Sequence, residues 1–191
     1  MKKSYQPNLY LALMHYPVVN KKGDVIASAV TNLDLHDIAR AAKTYGVPTF
    51  YVVTPLKDQK ELIEKILDHW RTGIGAKSNP YRREALDLIM VKNSLKEVLD
   101  HIRLNGPGEI QTIATSASKT KARNIGYDAL RESLNSGNPH LLLFGTAWGF
   151  STEFIAGVDH VLEPIRGNSE YNHLSVRSAA SIILDRLIGN N

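Results

Sequence analysis

The chain has 191 residues, 43% hydrophobic and 22% charged, a balance that suits one soluble globular domain with a full core. Lys and Arg number 23 against 19 Asp and Glu, a formal charge of +4 that permits an RNA partner without demanding one. The absence of cysteine excludes disulfides, Cys-ligated zinc and thiol nucleophiles, and no apolar run approaches the roughly 20 residues of a membrane helix.

The N-terminal stretch carries Lys2 and Lys3, but Tyr5, Gln6, Pro7 and Asn8 break its apolar run and no small-residue cleavage site follows. It therefore reads as the lead into a strand, Leu9–Met14, rather than a signal peptide, and a cytoplasmic protein is expected. Leu35, Ile38, Ala39 and Ala42 recur at helical spacing, with Asp34 as the expected N-cap and Gly46 and Pro48 as the stop. Thr49–Val53 is the strand that follows. Asp58 and Glu61 predict a second helix start, over a stripe of Leu62, Ile63, Ile66, Leu67 and Trp70. A Gly- and Asn-rich basic stretch, read as a loop, leads to a third strand at Leu88–Val91.

Ser94 and Glu97 repeat the capping pattern over Leu95, Val98, Leu99 and Ile102, and Gly106–Gly108 makes a turn. Gln111–Ala114 is a fourth strand, Tyr127–Leu134 a short amphipathic helix, Leu141–Phe144 the fifth strand, and Val161–Leu162 lies in the sixth. The last helix buries Val176, Ala179, Ala180, Ile183 and Leu187. This alternation predicts a single α/β domain over residues 1–191, with a mostly parallel six-stranded sheet and helices on both faces. Such sheets bind ligands at the carboxyl ends of their strands, and polar turns follow strands four, five and six.

Those turns match none of the common nucleotide signatures. Gly145–Gly149 is not G-x-G-x-x-G, no Walker-type loop exists, and no Gly-x-Ser-x-Gly elbow suggests a hydrolase. The seven histidines are scattered without metal-ligand spacing, so no metal is expected.

What remains is an ordered set: a strand, the Gly145–Gly149 turn, a strand, the Pro164–Gly167 turn, then Asn172, His173, Leu174 and Ser175 opening a helix. This order resembles the closing motifs of the SPOUT (SpoU–TrmD) RNA methyltransferases, and is similar to the RNA methyltransferase domain sometimes fused to TrmD. The resemblance departs from SpoU members where His173 replaces an Asn, and where Thr146, Ala147 and Trp148 stand in place of a common Asn-Glu. It implies a C-terminal trefoil knot over about 111–188, a homodimer, an RNA substrate (tRNA or rRNA), and S-adenosylmethionine as methyl donor with S-adenosylhomocysteine as product. By the same resemblance the cofactor pocket comprises Thr115, Ser116 and Ala117; Phe144, Gly145, Thr146, Trp148 and Gly149; Glu163, Pro164, Ile165, Arg166 and Gly167; and Asn172, His173, Leu174 and Ser175.

Asp34 to Arg40, with Gly46 six residues on, resembles the SpoU Asn-x-Gly-x-x-x-Arg motif, in which the Arg acts on the substrate across a dimer interface. Arg40 is thereby the expected catalytic residue, with an ion pair to Asp37 as its alternative use. An Arg stays protonated, so its role would be to orient a phosphate or an oxyanion. Asp34, Glu163 and His173 are the other groups able to handle a proton.

Two basic stretches, Arg71–Arg83 (with Lys77, Arg82 and Arg83) and Lys119–Arg123, can hold phosphates, the first flanked by Trp70 and Tyr81. Each can equally be a solvated face. The competing readings are a SPOUT-like binding module without transferase activity and an unrelated nucleotide- or sugar-phosphate-binding α/β enzyme. Cofactor binding and methyl transfer separate the three.

Overall fold

The computed structural model describes residues 8–118 and 122–190. Its elements, in order, are β1 (Leu9–Met14), β2 (Val18–Val19), β3 (Val25–Ile26), α1 (Asn32–Thr44), β4 (Phe50–Val53), α2 (Lys57–Arg71), α3 (Ile74–Ser78), α4 (Pro80–Leu86), β5 (Ile89–Lys92) and α5 (Leu95–Asn105). Then come β6 (Gln111–Thr115), β7 (Asn124–Ile125), α6 (Tyr127–Leu134), β8 (His140–Gly145), α7 (Thr152–Ala156), β9 (His160–Leu162) and α8 (Val176–Ile188).

Seven strands form one parallel sheet in the order β5-β4-β1-β8-β6-β9-β7, and β2 pairs with β3 in a separate antiparallel hairpin. The expected six strands thus become seven. The added strand, β7, is two residues long and partly exposed, too short for a period-two signal, and exists because β9 pairs with it.

The centre is the β1–β8 pair, in register from Leu9 opposite His140 to Met14 opposite Gly145. Both strands are buried on both faces, so they read as near-continuous apolar runs, and alternate side chains feed two cores. Leu9, Leu11 and Leu13 pack with Leu35, Ile38 and Ala39 of α1 and with Ile183, Leu184 and Leu187 of α8. Ala12 and Met14 pack on the other side with Tyr51, Val98 and Ile102, beside Phe150 and Phe154.

Several local signals take their exact form only in three dimensions. The α1 cap is Thr31, not Asp34: Thr31 Oγ1 accepts from the Asp34 backbone N–H at 3.2 Å and donates to its carboxylate at 2.7 Å. Helix α2 starts at Lys57, just after Pro55, with Asp58 in its first turn rather than capping it, and Leu62 faces solvent. The α5 cap is Ser94, accepting from the Glu97 N–H as expected.

The first basic stretch is not a loop but runs from the end of α2 through α3 and α4. Arg71 donates to the carbonyls of Leu86 and Ile89, and Arg82 lies 4.6 Å over the Trp70 ring, so both serve the fold. In the second stretch Lys119 and Lys121 lie outside the described residues.

Candidate functional site

Parallel strands deliver their C-terminal ends to one edge of the sheet, and there β6, β8 and β9 end side by side. A cleft of about 860 Å³ opens at these ends. Thr115–Ser118, following β6, make its first wall. Thr115 Oγ1 donates to the Leu143 carbonyl at 3.0 Å, fixing that wall to β8.

The second wall is the turn after β8, from Phe144 and Gly145 through Thr146, Trp148 and Gly149 to Phe150. The Gly149 N–H closes it onto the Thr146 carbonyl at 2.9 Å. A Cβ at Gly145 would stand 3.2 Å from the Gly149 Cα and from the Phe150 ring, so a side chain there would push the folded-back turn outward by a few tenths of an ångström. Gly149 has φ +87°, and Ala147 is the one non-glycine residue with positive φ, at 51°, among the described residues. Local strain of this kind gathers where a ligand is clamped.

The third wall follows β9: Leu162, Glu163 and Ile165 line the cleft, whereas Pro164, Arg166 and Gly167 lie just outside it. Asn172, His173, Leu174 and Ser175 close the mouth. Asn172 Nδ2 donates to the Ala117 carbonyl at 2.7 Å, joining this last loop to the first wall. Ser175 caps α8 by accepting from the Ser178 N–H at 3.3 Å. Phe144, Leu162, Ile165 and Ile183 give the cleft an apolar floor beneath a rim of hydroxyl and backbone groups.

A fourth side was not expected. Ser28, Ala29, Thr31 and Asp34, from the segment between the hairpin and α1, also line the cleft, as does Arg177 of α8. Arg177 Nη1 stands 3.4 Å from Asp34 Oδ1 and its Nε 3.4 Å from Asp37 Oδ2. Behind Ser28 lies His15, fully buried. Burial holds its imidazole down at about 4, against the raising effect of the nearby Asp34 carboxylate. Asp34 was already a candidate from its motif; no short motif flags Ser28, Ala29, Thr31 or Arg177, and the first three show only as small, mostly polar residues just before a helix start.

Arg40 is not in this cleft. It lies, exposed, in an adjoining groove of about 440 Å³ between α1 and α8, with Asp37, Ala41, Thr44, Tyr45, Arg177, Ser178 and Ser181. Asp37 is paired with Arg177, and among the described residues Arg40 makes no ion pair. Arg177 belongs to both grooves and links them. Among the described residues no three His, Asp or Glu side chains cluster as metal ligands do, and no helix is long and apolar enough to cross a membrane.

Comparison with known proteins agrees with this geometry. Residues 8–189 match the model of a family described as SAM-dependent RNA methyltransferase. The chain is 43% identical over 183 residues to a tRNA (guanine-N(1)-)-methyltransferase of Oleidesulfovibrio alaskensis, covering 96% of this chain but only 42% of that longer protein. It is 36% identical to an uncharacterized protein of Aquifex aeolicus, over 96% of this chain and 90% of the other. Its fold matches the crystal structure of the A. aeolicus TrmH/SpoU tRNA modifying enzyme with a TM-score of 0.55 at 19% identity, over 95% of this chain and 74% of that one. The chain belongs to the SAM-dependent RNA methyltransferase family, and its fold is that of the SpoU-type enzymes.

Proposed function

We propose that this chain transfers a methyl group from S-adenosylmethionine to RNA, with the cleft at the ends of β6, β8 and β9 as its cofactor site. The observation that carries the reading is that cleft, in a chain matched to the family over residues 8–189. Its volume lies in the range of small-molecule sites, and an apolar floor with a polar rim suits a ligand made of a purine, a ribose and an amino-acid tail. Phe144, Leu162, Ile165 and Ile183 would pack against flat apolar surface, while Thr115–Ala117, the 145–149 turn, Glu163 and the 172–175 loop would supply polar contacts to its edges. The bound cofactor supplies an already activated sulfonium methyl, so the chain's own task is positioning rather than activation.

Arg40 would orient the RNA, through a phosphate or a developing oxyanion. Its exposure, and its lack of an ion pair among the described residues, support that role, and its place outside the cleft supports a homodimer in which it serves the partner's cleft. The whole chain would act as one domain, in the cytoplasm. Strand β9 lies between β6 and β7, elements consecutive in sequence, which supports a trefoil knot over about 111–188. The substrate to test first is tRNA, the RNA named for the O. alaskensis relative, with rRNA beside it.

Calorimetry with S-adenosylmethionine and S-adenosylhomocysteine, with NAD and ATP as controls, tests the cofactor site, and radiolabelled methyl transfer to bulk tRNA and rRNA tests the activity. Micromolar binding of the first two alone, with label in RNA, is expected. A folded protein silent to both cofactors would overturn the reading; binding without transfer to any RNA would reduce the chain to a cofactor-binding module.

A further inference from the structure

Three side chains far apart in sequence form a single hydrogen-bonded line from the core to the cleft. His15 Nδ1 lies 3.0 Å from Ser28 Oγ, Ser28 Oγ lies 2.5 Å from Thr146 Oγ1, and Thr146 Oγ1 lies 3.0 Å from the Met14 carbonyl oxygen. The carbonyl can only accept, so the single hydroxyl hydrogen of Thr146 goes to Met14. Thr146 must then accept from Ser28, and Ser28 from His15, which puts the imidazole proton on Nδ1. Nε2 is left with its lone pair, and it is buried with no hydrogen-bond partner among the described residues. The carbonyl of Met14 thus fixes the direction of the line, and His15 is the donor at its head.

The end of that line is the turn that forms the second wall. The hairpin reinforces it there, with the Val19 N–H donating to Gly149 at 2.9 Å and the Trp148 N–H to Val19 at 3.1 Å. We propose that His15 is a positioning residue for the cleft: by donating from Nδ1 through Ser28 to Thr146 it holds the 145–149 turn in the shape that accepts the methyl donor. This rests on the reading of the cleft as the cofactor site. Ser28 and Thr146 line the cleft and His15 does not, so the histidine acts only through them.

A role in simple core packing makes the opposite forecast, which gives the test. Asn places its Nδ2–H on the same Cγ as the histidine Nδ1–H and can restore the donation, whereas Leu fills a buried apolar site better but donates nothing. Binding of S-adenosylhomocysteine is measured by calorimetry in the full chain and in His15→Asn, His15→Leu, Ser28→Ala, Thr146→Val and the double variant His15→Leu/Thr146→Val. His15→Leu and Ser28→Ala are expected to weaken binding about tenfold, the effect of one lost hydrogen bond, and His15→Asn by less than about threefold. The double variant is expected to bind no more weakly than Thr146→Val alone, because both changes cut one line. Should His15→Leu fail to fold, Ser28→Ala cuts the same line without touching the core. Wild-type binding matched by Ser28→Ala, or an Asn variant weaker than the Leu variant, would overturn the proposal alone. A wild-type protein that does not bind the ligand would overturn the cleft reading and this proposal with it.

Discussion

Arg177, in the first turn of α8, reaches the Asp34 carboxylate of α1 at 3.4 Å. The same guanidinium reaches Asp37, one helical turn along α1, with a different nitrogen. One side chain thus ties the last helix to the first at the seam between the cleft at the strand ends and the Arg40 groove.

This arrangement needs the fork of an arginine. A Lys carries one compact charge and serves two carboxylates a helical turn apart poorly. The Arg177 side chain is 36% exposed, so solvent screens the pair and its loss costs far less than that of a fully buried one. Arg177→Ala is expected to lower stability by about 1 kcal/mol, and Arg177→Lys to recover less than half of that. Urea unfolding of the three proteins measures both; full recovery by Lys would show that charge alone matters.

The turn after β8 gives a second test. Gly149 has φ +87°, a conformation that costs a residue with a Cβ about 1–2 kcal/mol, although open space surrounds the position. Gly149→Ala is therefore expected to destabilise by about that amount through backbone strain rather than a clash. Relief of the strain by shifting the turn would also weaken S-adenosylhomocysteine binding. The Ala147→Gly variant, at φ 51°, is expected to gain stability or stay level. A Gly149→Ala protein with unchanged urea midpoint and unchanged affinity would refute the account.

The parts of the site that the sequence reveals are those built by local chemistry. A glycine turn after an apolar run and a Ser that caps a helix each state their structure within a few residues, and the cleft walls stand where those signals lie. Even the displaced cap was visible in kind, since Thr31 and Asp34 are both capping residues three apart and only the choice between them needed the fold. Apart from Asp34, the fourth side of the cleft had no such signal. Ser28 meets Thr146 across 118 residues of sequence, and Arg177 meets Asp34 across 143. Strand β7 escaped for a related reason, because a two-residue strand is defined by its partner β9 and not by its own composition.

The role proposed for Arg40 predicts that binding and chemistry can be separated. Its place in the groove beside the cleft, not in it, means that its removal leaves every cleft wall intact. Arg40→Ala is expected to keep S-adenosylhomocysteine affinity within about twofold while cutting methyl transfer at least a hundredfold, the scale of losing one charged group that stabilises a transition state. Calorimetry and transfer of labelled methyl to tRNA report the two separately. Unchanged turnover would remove the residue from the mechanism.

Acid should unfold this protein sooner than its surface charges alone would suggest, and His15 is the main reason. Burial lowers its imidazole to about 4 from the ordinary 6.5, against the opposing pull of Asp34. Between those two values the unfolded chain binds a proton that the native chain refuses, so stability falls as the pH drops through that window. The contribution is fully present above about pH 6.5 and gone near pH 4, a span worth about 3 kcal/mol. His140, His36 and His101 are also lowered, chiefly by burial, and add to the slope in the same direction. Urea unfolding free energies between pH 4.5 and 7.5 are expected to rise steadily with pH. The His15→Asn protein starts lower at neutral pH, because it leaves an amide oxygen in the core, but it has no proton to exclude there. Its profile is expected to be the flatter by most of that 3 kcal/mol, and an equally steep one would show that the buried histidine is not what sets the acid limit.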